Sequence, residues 1–170
     1  MCIRDRARNT MREFSATWVV FTLMLPLGGC DGNPAATQFN RGEQLLTQGD
    51  MDTAISCFTQ AIDLKPDYAD AYSQRGFAYA YQCKYDDAIT DFSEAIRLDP
   101  SNGKAYGRRG GAYRHKGEYD KAIDDFTEVI RLEPDAPNGF ALRALAYRQI
   151  GDQAKADADL AKVETLKAKK

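Results

Sequence analysis

The 170-residue sequence holds a single histidine, a single tryptophan, six prolines and four cysteines. Each shortage excludes something. One histidine, His115, leaves almost no room for a His-based metal or catalytic site. Four cysteines in a chain of this length do not make a disulfide scaffold. Charge of one sign is also lacking: 23 basic residues stand against 25 acidic ones, for a net of −2. That balance argues against whole-chain binding to nucleic acid. Long apolar runs are absent too. The uncharged stretch from Phe14 to Cys30 has an apolar centre, Trp18–Leu25, far short of the roughly 20 residues a spanning helix needs. What remains, 44% hydrophobic and 28% charged residues, is the composition of a soluble globular protein of one domain.

No catalytic constellation emerges. His115 lies among Arg114, Lys116 and Gly117 with no nucleophile in its pattern, so a solvent-facing role is expected. The glycines form no phosphate-cradling loop. The adjacent pairs Asp86-Asp87 and Asp124-Asp125 point about 100° apart on a helix and cannot share a substrate. Catalytic residues, metal ligands and cofactors are all expected to be none.

The N-terminus reads as a targeting segment. Arg4, Arg6, Arg8 and Arg12 precede the apolar centre, and Pro26-Leu27-Gly28-Gly29-Cys30 closes it. A basic start, a short apolar core and small residues describe a secretory signal. Leu27-Gly28-Gly29-Cys30 resembles a bacterial lipoprotein box, which implies cleavage before Cys30 and lipidation of its thiol. An ordinary signal peptide or a short anchor is the other reading. Asp31 resembles an inner-membrane retention signal of enterobacteria-like systems. Residues 1–10 fit poorly as a natural start and read as an artefact or a misplaced start, with the signal over 11–29. Residues 30–34 are then the lipidated cysteine and a short tether.

From Ala35 onward the chain repeats every 34 residues. Gly42, Gly76, Gly110 and Ala144 form one column, and Ala54, Ala88, Ala122 and Ala156 another. Phe58, Phe92, Phe126 and Leu160 form a third, and Pro66, Pro100 and Pro134 close three of the units. Within a unit the spacing is helical: Tyr72, Gly76 and Tyr79, then Ala88, Phe92, Ala95 and Ile96, each mark one apolar helix face. Between the faces lies a turn at Gly49, Cys83, Gly117 or Gly151, where glycine can end a helix in the left-handed conformation. Each unit is therefore a helical hairpin.

These motifs resemble the tetratricopeptide repeat family, through Tyr72, Gly76, Tyr79, Ala88, Phe92, Ala95, Pro100 and their equivalents in the third unit. The resemblance implies an all-α, right-handed α-solenoid of four helix-turn-helix hairpins, over 35–68, 69–102, 103–136 and 137–170. The last unit replaces the isoleucines of its neighbours by Asp157 and Glu164, as an end cap requires. A truncated chain is the alternative.

Arg41, Arg75, Arg109 and Arg143 recur in every unit. They read either as a basic ladder facing a ligand or as structural partners of the acidic helices beside them, and a recurring residue favours the second. Cys57 replaces the Asp91, Asp125 and Asp159 of the later units. Cys57 and Cys83 are expected to stay free thiols, since a mid-helix site and a turn one unit later are poorly placed for a bridge.

The resemblance also implies that the first helices of the hairpins line a concave groove. Phe77 and Tyr81 offer apolar area there, and Lys104 and Arg108 share a helix face. Arg114 and Arg148 complete the expected ligand-binding set. Lys104 to Arg108 is similar to half of the carboxylate clamp of chaperone-binding repeats. Phe39, Glu43 and Gln74 stand where the other half needs lysine and asparagine, so a chaperone tail is an unfavoured ligand. The expected function is a non-catalytic scaffold in the bacterial cell envelope, anchored through Cys30 and facing the periplasm. Its partner would be a protein or peptide, with an acidic or carboxylate-bearing peptide as the candidate. The alternatives are a receptor for a small acidic peptide or cell-wall fragment, and a spacer or dimerisation module. Charge is graded along the chain: the units sum to −3, −3, 0 and +3.

Overall fold

The computed structural model describes residues 33–168. The readings placed on Cys30, Asp31 and the signal segment lie outside the described residues. Among the described residues there are eight helices and no strand: α1 (Pro34–Gln48), α2 (Met51–Leu64), α3 (Ala69–Tyr81), α4 (Tyr85–Leu98), α5 (Gly103–Lys116), α6 (Tyr119–Leu132), α7 (Pro137–Gln149) and α8 (Gln153–Lys167). They pair as four hairpins, each packed on the next.

The turns follow from their chemistry. Gly49, Gly117 and Gly151 take φ near +80°, and their amides close the preceding helices. Asp50 and Asp152 then start the following helices by accepting from the amides of Thr53 and Lys155. Cys83 holds the same turn at φ 61°, where a side chain crowds the backbone. Cys57 is a free, buried thiol, whereas Cys83 is disulfide-bonded and not to Cys57, so the expectation of a free thiol fails at Cys83. Cys57 is sealed inside the helix packing, whereas Cys83 is half-buried in its turn. Cys83→Gly should raise stability by about 0.5–1 kcal/mol through relief of the left-handed strain. The comparison is made by urea melts in reducing buffer, so that neither protein carries the bridge. An unchanged midpoint would show that the turn stores no strain.

The core is built from a small residue facing a large one. Phe58, Phe92 and Phe126 are fully buried, each against the glycine 16 positions earlier, Gly42, Gly76 or Gly110. A β-carbon on any of these glycines would meet the ring below 3.0 Å. Ala54, Ala88, Ala122 and Ala156 are completely buried and let the paired helices approach closely.

A second recurring device joins the hairpins. The Arg109 guanidinium donates from Nε and Nη2 to the two carboxylate oxygens of Asp125, at 3.0 and 2.7 Å, and from Nη1 to Ser93 Oγ at 3.0 Å. Arg75 does the same with Asp91 and Thr59, and Arg143 with Asp159 and Thr127. Each hydroxyl in turn donates to the carbonyl four residues before it. One arginine thus ties both helices of its own hairpin to the second helix of the previous one, with the fork geometry that suits a carboxylate. The recurring arginines are structural in three units. Arg41 is the exception and is exposed, because Cys57 offers it no carboxylate.

The first helices of adjacent hairpins, α1, α3, α5 and α7, also touch one another, whereas α2, α4, α6 and α8 do not. The stack therefore curves toward its first helices, and these form the inner face.

Candidate functional site

Three adjoining cavities of about 300, 280 and 270 Å³ open along this face, the first and third lined from α1 and α3 with Arg108 of α5, and the second from α3, α4 and α5. Arg108 lines all three. Its Nη1 donates to the Ser73 carbonyl at 3.2 Å, to Ser73 Oγ at 3.1 Å and to Gln74 Oε1 at 2.9 Å. Its guanidinium lies 4.8 Å from the centre of the Phe77 ring. All of these partners are neutral. Burial pushes the Arg108 guanidinium below its ordinary value, with no carboxylate to oppose it. The contrast with Arg75, Arg109 and Arg143 is sharp, since their aspartates hold them above that value.

Gln74 extends the network. Its Nε2 donates to Glu43 Oε1 at 3.0 Å, so a chain of hydrogen bonds crosses the groove floor from α5 through α3 to α1. Burial, followed by the nearby Asp70 and Glu43 charges, pushes the Tyr68 phenol upward. The acidic residues thus cluster on the α1 and α3 side of the first cavity, with Lys104 and Arg108 on the α5 side.

The second cavity is aromatic. Phe77 is 38% exposed and Tyr81 60% exposed, and both line it. Gly111 faces open space there, so a ligand backbone can approach α5 closely. The His115 ring stacks on Tyr85 with centroids 5.2 Å apart and planes 2° apart. Burial, then the charge of Arg114, pushes His115 below the usual histidine value. His115 is exposed, as expected, but it is a wall of this cavity rather than an isolated surface group.

The fold brings Phe77, Tyr81, Lys104 and Arg108 into one groove. Arg114 and Arg148 line none of its three cavities: Arg114 is half-buried with an unpartnered Nε, and Arg148 is exposed on the last turn of α7. The groove also contains Ser73 and Gln74, which occupy groove columns of the repeat but were left out of the expected ligand-binding set, and Tyr85 and His115, which were not expected there. The signal for Gln74 was its register, 34 residues before Arg108 in the same column, and Ser73 precedes it by one.

Two sequence patterns agree with this geometry. The tetratricopeptide repeat pattern matches residues 69–102 and 103–136, and a TPR repeat pattern matches 42–83. The chain belongs to the tetratricopeptide repeat family. Among curated proteins none matches it. Among solved structures, a crystal structure of MamA superposes with a TM-score of 0.78 at 26% identity, over 81% of this chain and 80% of that one. The first TPR of Spaghetti (RPAP3), bound to the HSP90 peptide SRMEEVD, gives 0.68 at 28% identity, over 71% and 95%. The Arabidopsis OM64 TPR domain gives 0.66 at 27% identity, over 69% and 98%. A tetratricopeptide repeat stack with an open groove is a protein-interaction scaffold, and the curvature found here supplies that groove.

Proposed function

We propose that this tetratricopeptide repeat protein is a non-catalytic adaptor of the bacterial cell envelope that holds a peptide or helix of another protein in its inner groove. The observation that carries the binding role is Arg108, a half-buried cation with only neutral partners, set beside the exposed rings of Phe77 and Tyr81. An uncompensated guanidinium beside an apolar surface is the anatomy of an interaction site rather than of a core. The RPAP3 relative, solved with a peptide, supports a peptide as the ligand class. The carboxylate clamp does not carry over, because Phe39, Glu43 and Gln74 replace its other half.

The anchoring role rests on Leu27-Gly28-Gly29-Cys30. A lipid on Cys30 would hold the repeats at the periplasmic side of a membrane, the inner one by the Asp31 reading, and raise their effective concentration for local partners. Metabolic labelling with an alkynyl fatty acid tests it: label is expected on the wild-type protein and absent from Cys30→Ser. Label on neither protein would remove the anchor.

The binding role is tested by crosslinking capture from envelope extract with the full chain as bait, beside a Lys104→Glu/Arg108→Glu control of unchanged circular dichroism. A partner held by the wild type and lost from the control is expected. Capture by both baits would move the site away from α5, and capture by neither would favour a spacer.

A further inference from the structure

We infer that the groove selects a mixed-charge peptide segment, basic where it crosses α1 and α3 and acidic where it crosses α5. This rests on the reading of the groove as a peptide site and states its specificity. The first cavity places Glu43 and Asp70 on one side and Lys104 and Arg108 on the other. No ion pair joins the two sets, although Arg75, Arg109 and Arg143 each pair with an aspartate elsewhere in the stack. Gln74 stands between them instead, donating to Glu43 and accepting from Arg108. A neutral amide in that place keeps the opposite charges apart and leaves each with unused hydrogen-bonding capacity. Arg108 commits only Nη1, and Glu43 accepts one bond, at Oε1.

The field of the whole stack has the same direction. The first two units sum to −3 each, the third to 0 and the fourth to +3. A wholly acidic ligand would gain at α5 and meet Glu43 and Asp70 as like charges, and a wholly basic one would meet the reverse. Only a segment that changes sign along its length is attracted at both ends. The aromatic cavity beside Arg108 then takes an apolar side chain of the same segment.

The test uses fluorescent heptapeptides, capped at both ends, with a central phenylalanine. One carries lysines on one side and glutamates on the other; the second carries only glutamates and the third only lysines. Anisotropy titration against the full chain should show the mixed peptide binding about fivefold or more tighter than either single-sign peptide. Glu43→Gln should erase its advantage over the acidic peptide, and Arg108→Gln its advantage over the basic one, with circular dichroism melts confirming that both variants fold. Equal binding of the acidic and mixed peptides, or a mixed-peptide affinity untouched by Glu43→Gln, overturns the charge selectivity while the peptide groove stands. Absence of binding by all three peptides to the folded protein overturns the groove reading itself.

Discussion

Arg109→Ala is expected to destabilise the protein by about 3–5 kcal/mol, because it strands a buried carboxylate. Asp125 is 4% exposed and receives two hydrogen bonds from Arg109. Removing the guanidinium leaves that charge desolvated and also cuts the link to Ser93 on the previous hairpin. Two comparisons isolate the cause. Arg109→Lys keeps the charge but loses the fork, so its cost should fall between those of wild type and alanine. Arg41→Ala removes the equivalent residue of the first hairpin, which is exposed and has no aspartate, and should change stability by less than about 0.5 kcal/mol. Urea denaturation of the four proteins provides the measurement. Equal costs at positions 41 and 109 would show that the ladder contributes nothing beyond packing.

The same variant carries a pH signature. Burial already pushes the Asp125 carboxyl upward, with Arg109 opposing it. Without Arg109 the push is unopposed, and the native pKa rises further above its unfolded value. A native state that holds the proton more tightly gains stability as pH falls through that raised value. The deficit of Arg109→Ala relative to wild type should therefore shrink on acidification and be greatest at neutral pH. A deficit independent of pH would mean that lost packing, not the stranded charge, is what the substitution removes.

The two arginine classes show how far the sequence can be read. The period, the hairpins, the glycine turns and the helical architecture all follow from columns of like residues, because a local pattern dictates each of them. The role of Arg75, Arg109 and Arg143 was half legible. Their recurrence argued for structure, and the aspartate column 16 residues later was visible, but pairing the two requires knowing how the helices face each other. Arg108 was legible only as a cation on a face shared with Lys104. Its burial, its neutral partners and the Gln74 bridge to Glu43 arise from three hairpins brought together, and no spacing within one unit encodes them. Arg114 and Arg148 show the opposite limit. Both sit on first helices, but Arg148 belongs to α7, which borders none of the three cavities, and Arg114 is half-buried on α5 outside them. Cys83 was read correctly as a turn residue, but no pattern within the repeat announces that it is disulfide-bonded.

Gly110→Ala is expected to cost about 2 kcal/mol, even though alanine favours a helix over glycine by about 1 kcal/mol. The added methyl would sit 2.7 Å from Phe126 Cε1, 3.0 Å from Cδ1 and 3.1 Å from the Asp125 β-carbon. The Phe126 ring is fully buried in the middle of the stack, so it can yield only by displacing packed neighbours. The fourth hairpin contains the compensated form of the same contact: Ala144 replaces the glycine, and Leu160 replaces the phenylalanine 16 positions later. The shorter side chain leaves room for the methyl, and Ala144 is 1% exposed. Phe126→Leu alone should cost about 1 kcal/mol for the contacts it gives up. The double variant should cost less than the sum of the two, by about 1–2 kcal/mol, since its members relieve each other. Strict additivity in a double-mutant cycle would separate the two columns and leave their joint change in the fourth hairpin without a packing cause. Coupling would make glycine–phenylalanine and alanine–leucine two solutions to one constraint, the closest approach of paired helices, and would explain why the change comes in pairs.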